Sequence, residues 1–295
     1  MHSPELTGLA WWARLRLWGS FVRFSHTVFA LPFALASLAV AFRGRPFEGR
    51  VLALVLLAMV TARSAAMAFN RIVDREYDRR NPRTAMRELP SGRLSLRAAW
   101  GFFAINAAGF LLAAALISPL CLALAPVALA VLLGYSYSKR FTALSHFLLG
   151  AALGLAPVGA WLAAMGRLEP APALLGAAVL FWVAGFDILY ALQDVDFDRQ
   201  AGLYSVPARI GIRPALRISA ASHGLCALLL AGFGLQAQLG LYFWIGYAGF
   251  LLALLRQHRL VSPEDLSRLD QAFFTANGWA SLWIGAWTIL DVLLT

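Results

Sequence analysis

Apolar residues recur in runs of about twenty, the length that carries a helix across a bilayer core of ~30 Å. They fall at 21–42, 51–78, 96–116, 118–137, 142–165, 172–198, 213–235, 237–256 and 270–293. This pattern predicts an all-α polytopic membrane protein with nine transmembrane helices. Ahead of the first run, Trp11 and Trp12 mix with Arg14 and Arg16. Such a mixture predicts a membrane-interface helix over 1–20 rather than a cleaved signal peptide.

Composition sharpens the class. The chain is 60% hydrophobic and 14% charged, with a mean hydropathy of +0.69, which excludes an ordinary cytosolic enzyme. It has 25 basic and 15 acidic residues, a net charge of +10, and the basic residues comprise 24 arginines and the single lysine Lys139. In a soluble chain that excess would suggest nucleic acid, but most arginines lie between the apolar runs and read as topology instead. The N-terminal segment and the turns after the second, fourth, sixth and eighth runs carry 20 of the 25. The opposite turns hold only Arg43, Arg45, Arg50 and Arg167, and Arg63 lies inside the second run. The positive-inside rule then places the even-numbered turns in the cytoplasm, with no nucleic-acid partner and no obligate protein partner implied. Cys121 and Cys226 sit in apolar segments without a CxxC or His/Cys cluster, so neither a disulfide framework nor a zinc site is supported.

Two of the cytoplasmic segments resemble each other. Asp74, Asp78 and Arg79 correspond at one common offset to Asp194, Asp198 and Arg199, and each copy leads into a loop rich in Ser, Pro and Gly. The chain thus reads as one domain, 1–295, built from two pseudo-repeated helical bundles around a central polar cavity. The first repeat is 21–140, the second 141–270, and the last helix covers 270–295. Both copies close an even-numbered run, so their acids share one side of the membrane, unlike the broken helices of an inverted-repeat transporter.

Residues four apart on a helix drift only about 40° per step, so Asn70, Asp74 and Asp78 line one face, as do Asp194 and Asp198. Glu76 and Asp196 point about half a turn away, toward solvent or arginines. Carboxylates near the bilayer are costly, and two pairs at matching span ends suggest a use. Mg²⁺ is the natural occupant, because it takes one or two carboxylates and completes its shell with water and phosphate oxygens. The plainer reading is charge neutralisation by Arg71, Arg75, Arg79, Arg80 and Arg199. Arg63 and Asp187 lie on the same two faces but roughly 16 and 10 Å deeper. They form either a polar pocket beneath the acids or a structural ion pair. Tyr135 and Lys139 share a face at a span end, where a diphosphate leaving group would meet a phenol donor and an ammonium; positive-inside snorkelling equally accounts for the lysine.

The stretches NRIVDREYDRRNPRTAMRELPSG (Asn70 to Gly92), YSYSK (Tyr135 to Lys139) and DILYALQDVDFDRQAGLYSVPARIG (Asp187 to Gly211) resemble the UbiA-type intramembrane aromatic prenyltransferases. The likeness covers essentially the whole chain. It implies a nine-helix enzyme of a bacterial inner membrane, its active site facing the cytoplasm, that transfers a polyprenyl group to an aromatic ring with Mg²⁺ as cofactor. The family's NxxxDxxxD motif falls on Asn70, Asp74 and Asp78, its DxxxD motif on Asp194 and Asp198, and its YxxxK pair on Tyr135 and Lys139. Arg71 departs from the pattern, since many members carry a second acid there; it implies either fewer metal ions or an added diphosphate contact. The stretch His26 to Phe33, with Asn81 to Thr84 and Arg87 to Gly92, is similar to the branch that prenylates 4-hydroxybenzoate, some relatives of which are thought to use a dihydroxynaphthoate in a menaquinone route. In this reading the catalytic acids are Asp74, Asp78, Asp187, Asp194 and Asp198. Asn70 completes the metal set, and Tyr135, Lys139 and Arg71 bind diphosphate. Arg63 and Asp187 receive the aromatic acid, and the loop from Arg79 to Arg93 closes over the site. His26 reads as structural. The rival classes are a cation- or proton-coupled transporter and a phosphatidyl-type alcohol transferase, whose Asp-Gly-x-x-Ala-Arg stretch is missing.

Overall fold

The computed structural model describes residues 11–23 and 28–295. His26 and the first ten residues of the interfacial segment lie outside the described residues. Among those described there is no strand: the chain runs through α1 (Trp11–Phe21), α2 (Leu31–Ala41), α3 (Gly49–Val73), α4 (Arg75–Arg80), α5 (Leu96–Ile117), α6 (Pro119–Ser138) and α7 (Ser145–Met165). It continues through α8 (Pro170–Ala191), α9 (Val195–Gln200), α10 (Val206–Ile210), α11 (Ile212–Gln236), α12 (Leu241–Arg259) and α13 (Ala276–Leu294).

Six of the helical segments are long and apolar enough to cross a membrane: 49–73, 96–117, 119–138, 145–165, 170–200 and 212–236. The eighth and ninth apolar runs hold α12 and α13, 19 residues each, with polar residues near their ends: Gln257 and His258 in α12, Asn277 and Asp291 in α13. The first run holds a shorter helix than expected, the 11 residues of α2.

The bundle is organised on α8, which packs against α7 and α11 and buries residues around its whole circumference. A helix apolar on every side belongs at the centre of a bundle. Trp182 is its fully buried anchor, with the Phe186, Phe33 and Phe250 rings at 5.0, 5.1 and 6.2 Å between centroids. The α7–α8 approach is close enough that a Cβ on Gly154 would stand 2.5 Å from the Gly176 carbonyl oxygen. Only glycine permits that contact. By contrast α5 and α6 leave large side chains such as Ile105 and Val127 exposed. On a bundle immersed in hydrocarbon such faces meet lipid rather than water.

Two of the four turn arginines opposite the acidic motifs serve helix ends. Arg43 donates to the carbonyls of Ala237 and Gln238 just past α11, and Arg50 donates to Leu116 near the end of α5 at 2.9 Å. Guanidinium groups there satisfy carbonyls that the last helical turn leaves unpaired.

One expectation is corrected. Neither acidic motif lies on an unbroken helix: α3 stops at Val73 and α8 at Ala191, followed by a 3₁₀ turn over Leu192–Asp194. Asp74 and Asp194 occupy the breaks, at φ/ψ of −89/5° and −110/8°. This bridge region is sparsely populated and recurs at functional positions. The helical bond pattern nevertheless crosses the first break, with Asp74 N–H on Asn70 O at 2.9 Å and Asp78 N–H on Asp74 O at 2.8 Å. Asn70, Asp74 and Asp78 therefore stay on one side of the chain.

Candidate functional site

The ends of α3, α6 and α8, the start of α7 and the loop after α4 surround a polar cavity of about 280 Å³. It is lined by Asn70, Arg71, Asp74, Asp78, Tyr135, Lys139, Asp187, Asp194, Asp198 and Arg63, the full set given catalytic, metal, diphosphate or acceptor roles from the sequence. Glu76 points away and pairs with Arg75 and Arg79 at 2.8 and 3.4 Å, and Asp196 is exposed.

The acids do not face one another bare. Asp74 receives Asn70 Nδ2 at 2.9 Å and pairs with Arg140 at 3.4 Å. Asp78 accepts from Arg87 at 2.6 Å, with Arg71 at 3.9 Å on its other oxygen. Asp194 takes Arg83 on both oxygens, at 2.9 and 2.5 Å, and Asn81 Nδ2 at 3.0 Å. The loop expected to close over the site thus lies across both motifs, holding the first through Arg87 and the second through Asn81 and Arg83. The arginines suggested as neutralising partners were Arg71, Arg75, Arg79, Arg80 and Arg199; only Arg71 reaches a cavity acid, and Arg83, Arg87 and Arg140 do most of the pairing. Arg71 is also tied to the Phe21 carbonyl at 3.4 Å.

Burial, reinforced by Asp78, pushes the Asp74 carboxyl up to about 6 against the pull of Arg140 and Lys139. Burial opposes the Lys139 ammonium, but Asp198, Asp187, Asp194 and Asp74 outweigh it and hold its pKa above the ordinary value. Burial likewise opposes Arg83, and its hydrogen bonds to Asp194 again reverse the direction.

The chemistry of these groups fits a divalent cation. The donor set is hard oxygen, and the buried Asp78 Oδ2 and Asp198 Oδ2 have no hydrogen-bond partner among the described residues. No three acidic or imidazole groups among the described residues already converge as a closed cation cage. Magnesium does not need one, because it uses one or two carboxylates and fills its shell with water and substrate phosphate.

Deeper in the bundle, an apolar cavity of about 240 Å³ opens between α3, α5, α6 and α7. The two cavities share Arg63, Met67, Tyr135, Leu149 and Leu153 as common walls. Arg63 donates to the Arg23 carbonyl at 3.1 Å, and its buried Nε is unpaired.

Sequence reasoning missed Arg83, Arg87, Arg140, Tyr190 and His146. Arg83 and Arg87 stand in the loop whose closure was expected, so their placement was foreshadowed. His146, fully buried and 2.6 Å from Asp187, gave no local signal.

Residues 30–285 match the model of the UbiA prenyltransferase family. A 4-hydroxybenzoate octaprenyltransferase of Pseudomonas aeruginosa (strain UCBPP-PA14) is 32% identical over 260 residues, covering 88% of this chain and 87% of that protein. One from Azotobacter vinelandii is 34% identical over 255 residues, covering 85% and 84%. The apo structure of a UbiA homolog from Aeropyrum pernix K1 superimposes with a TM-score of 0.82 at 36% identity, over 90% of this chain and 98% of that one. A UbiA homolog from Archaeoglobus fulgidus bound to GPP and Mg²⁺ shares the fold, with a TM-score of 0.71 at 22% identity over 94% and 99%.

Proposed function

Because the chain belongs to the UbiA prenyltransferase family, we propose that it transfers a polyprenyl group from a polyprenyl diphosphate to an aromatic hydroxy acid of the 4-hydroxybenzoate type, in quinone biosynthesis. The observation that carries this reading is the shared wall of the two cavities. A ligand with an anionic head and a long apolar tail fits a polar chamber that adjoins an apolar one at Arg63 and Tyr135. We further read the protein as nine spans in two pseudo-repeats, with the site on the cytoplasmic side, on the strength of the basic turns.

Asn70, Asp74, Asp78, Asp194 and Asp198 would hold Mg²⁺, which when bound supplies charge neutralisation for the departing diphosphate. Lys139 and Tyr135 donate to the diphosphate oxygens, and Arg71 adds positive charge beside them. The C1–O bond of the allylic diphosphate breaks with its electron pair leaving on the diphosphate. The ring carbon beside the phenol then forms the new bond to C1 from its π electrons, and the displaced ring proton passes to Asp187. Arg63, with its unpaired buried Nε, receives the aromatic carboxylate. The loop bearing Asn81, Arg83 and Arg87 excludes water that would otherwise quench the allylic cation.

The test incubates membranes containing the protein with geranyl diphosphate, Mg²⁺ and either 4-hydroxybenzoate or a dihydroxynaphthoate, and identifies products by mass. A geranylated hydroxybenzoate is expected. A geranylated naphthoate alone would move the acceptor to the menaquinone-route type, and ion flux in proteoliposomes without any prenylated product would favour a transporter.

A further inference from the structure

His146 stands on the first turn of α7, fully buried, between two partners of different kinds. Its Nδ1 lies 2.6 Å from Asp187 Oδ2 on α8, and its Nε2 lies 3.2 Å from the backbone nitrogen of Val206, the first residue of α10. A backbone N–H can only donate, so Nε2 must be the unprotonated acceptor of the ring. The proton of the neutral imidazole then belongs to Nδ1, which donates to the Asp187 carboxylate. A second proton on the ring would set an N–H against the Val206 N–H inside the protein, leaving that buried donor unpaired. The contact between the two residues is therefore fixed in its polarity. Asp187 Oδ2 is occupied as an acceptor, and Oδ1 has no hydrogen-bond partner among the described residues while the side chain lines the polar cavity.

We propose that His146 is a positioning residue for the transfer reaction: it pins Asp187 by Oδ2 so that Oδ1 is the oxygen presented to the ring proton, and it gives that proton no path into the imidazole. The proton therefore stays on Oδ1 until it leaves with diphosphate or water. The same ring also anchors the segment after the second acidic motif. That segment is fastened a second time by Tyr204 N–H on the Lys139 carbonyl at 2.6 Å. His146 thus sets the spacing of Asp187 against a loop that borders Lys139. The inference rests on the reading of Asp187 as the proton acceptor.

Two substitutions separate its two bonds. In His146→Asn the amide nitrogen falls near the position of Nδ1, which keeps the donor to Asp187 and abandons the Val206 N–H. In His146→Gln the amide falls near Nε2, where its oxygen accepts from Val206 and nothing donates to Asp187. Purified protein in detergent is assayed for kcat, for KM of each substrate and for melting temperature. His146→Asn is expected to keep kcat within about fivefold while melting lower. His146→Gln should melt near the parent yet lose roughly 100-fold in kcat, the cost of a displaced reacting group, with KM for the prenyl donor unchanged. If kcat instead follows melting temperature across the pair, or the two variants are equally active, His146 is a structural residue and the proposal is overturned. Asp187→Asn is measured alongside: full turnover by that variant would remove Asp187 from the chemistry, a failure of the underlying reading distinct from any result at His146.

Discussion

Arg83 lays its guanidinium edge along the Asp194 carboxylate, Nε on Oδ1 at 2.9 Å and Nη2 on Oδ2 at 2.5 Å, while Nη1 reaches the Tyr190 hydroxyl at 2.9 Å. A bidentate arginine occupies both oxygens that a cation would need. If Asp194 belongs to the proposed metal set, arginine and cation would compete for this one carboxylate, and a bound cation would release Arg83. Arg83→Ala is expected to tighten Mn²⁺ binding by about tenfold in the absence of diphosphate, the worth of a charge-assisted bond of ~1.5 kcal/mol. Prenyl transfer should slow in the same variant. Electron paramagnetic resonance titration in detergent reads the first effect, and an unchanged Mn²⁺ affinity would show that the pair does not oppose the metal.

The position of Asp74 gives a pH dependence with a definite sign. Its carboxyl is pushed up to about 6 by burial and by Asp78, so in the cation-free protein it is largely protonated below that pH. A cation binds the ionised form. Apparent Mg²⁺ affinity should therefore fall about tenfold for each pH unit below 6 and level off above 7. The measurement is the Mg²⁺ concentration for half-maximal rate from pH 5 to 8; a flat profile would take Asp74 out of the metal set. Asp74→Ala and Asp194→Ala should each abolish transfer while the protein still inserts into membranes, and EDTA should do the same to the parent.

Arg63 separates the two substrates. It borders both cavities, and its unpaired Nε is buried where an aromatic acid would sit. Removing a charged hydrogen bond to a bound carboxylate costs ~1.5–3 kcal/mol, or roughly 10- to 100-fold in affinity. Arg63→Gln should raise KM for the aromatic acid by that factor and leave KM for geranyl diphosphate within about twofold. Equal effects on both would move Arg63 out of the acceptor pocket.

Much of this site was legible because its chemistry is periodic and placed against an apolar background. Asp74, Asp78, Asp194 and Asp198 repeat at helical spacing, and Lys139 is the single lysine of the chain. In so apolar a chain each such charge is conspicuous, and the structure gathers them in one cavity. The breaks at Asp74 and Asp194 were not legible, because a carboxylate held by distant arginines can stabilise a bridge-region backbone that local propensity does not favour. The loop bearing Arg83 and Arg87 was foreshadowed, but which acid each holds was not, and Arg140 and His146 were hidden altogether. Arg83, Arg140 and His146 are chosen by packing between segments far apart in sequence, as His146 on α7 is chosen by Asp187 on α8 and Val206 on α10. Periodicity within one helix carries no information about such contacts.

Asp291 tests whether loss of activity can be told from loss of fold. It is fully buried on α13, and its two oxygens accept the Gly240 and Phe243 N–H groups at 2.7 and 3.2 Å, capping the start of α12 from another helix. The fit is close at Gly240, where a Cβ would meet Asp291 Oδ1 at 3.1 Å. Asp291→Ala removes the acceptor of one buried and one part-buried N–H at the start of α12, and a buried donor left unpaired costs ~1–3 kcal/mol. The variant should lose several degrees of melting temperature in detergent while kcat and both KM values, measured well below the transition, stay within about twofold of the parent. Asp291 lies outside both cavities, so a selective loss in kcat without a fall in melting temperature would mean that this end of the bundle communicates with the acidic site through something other than stability.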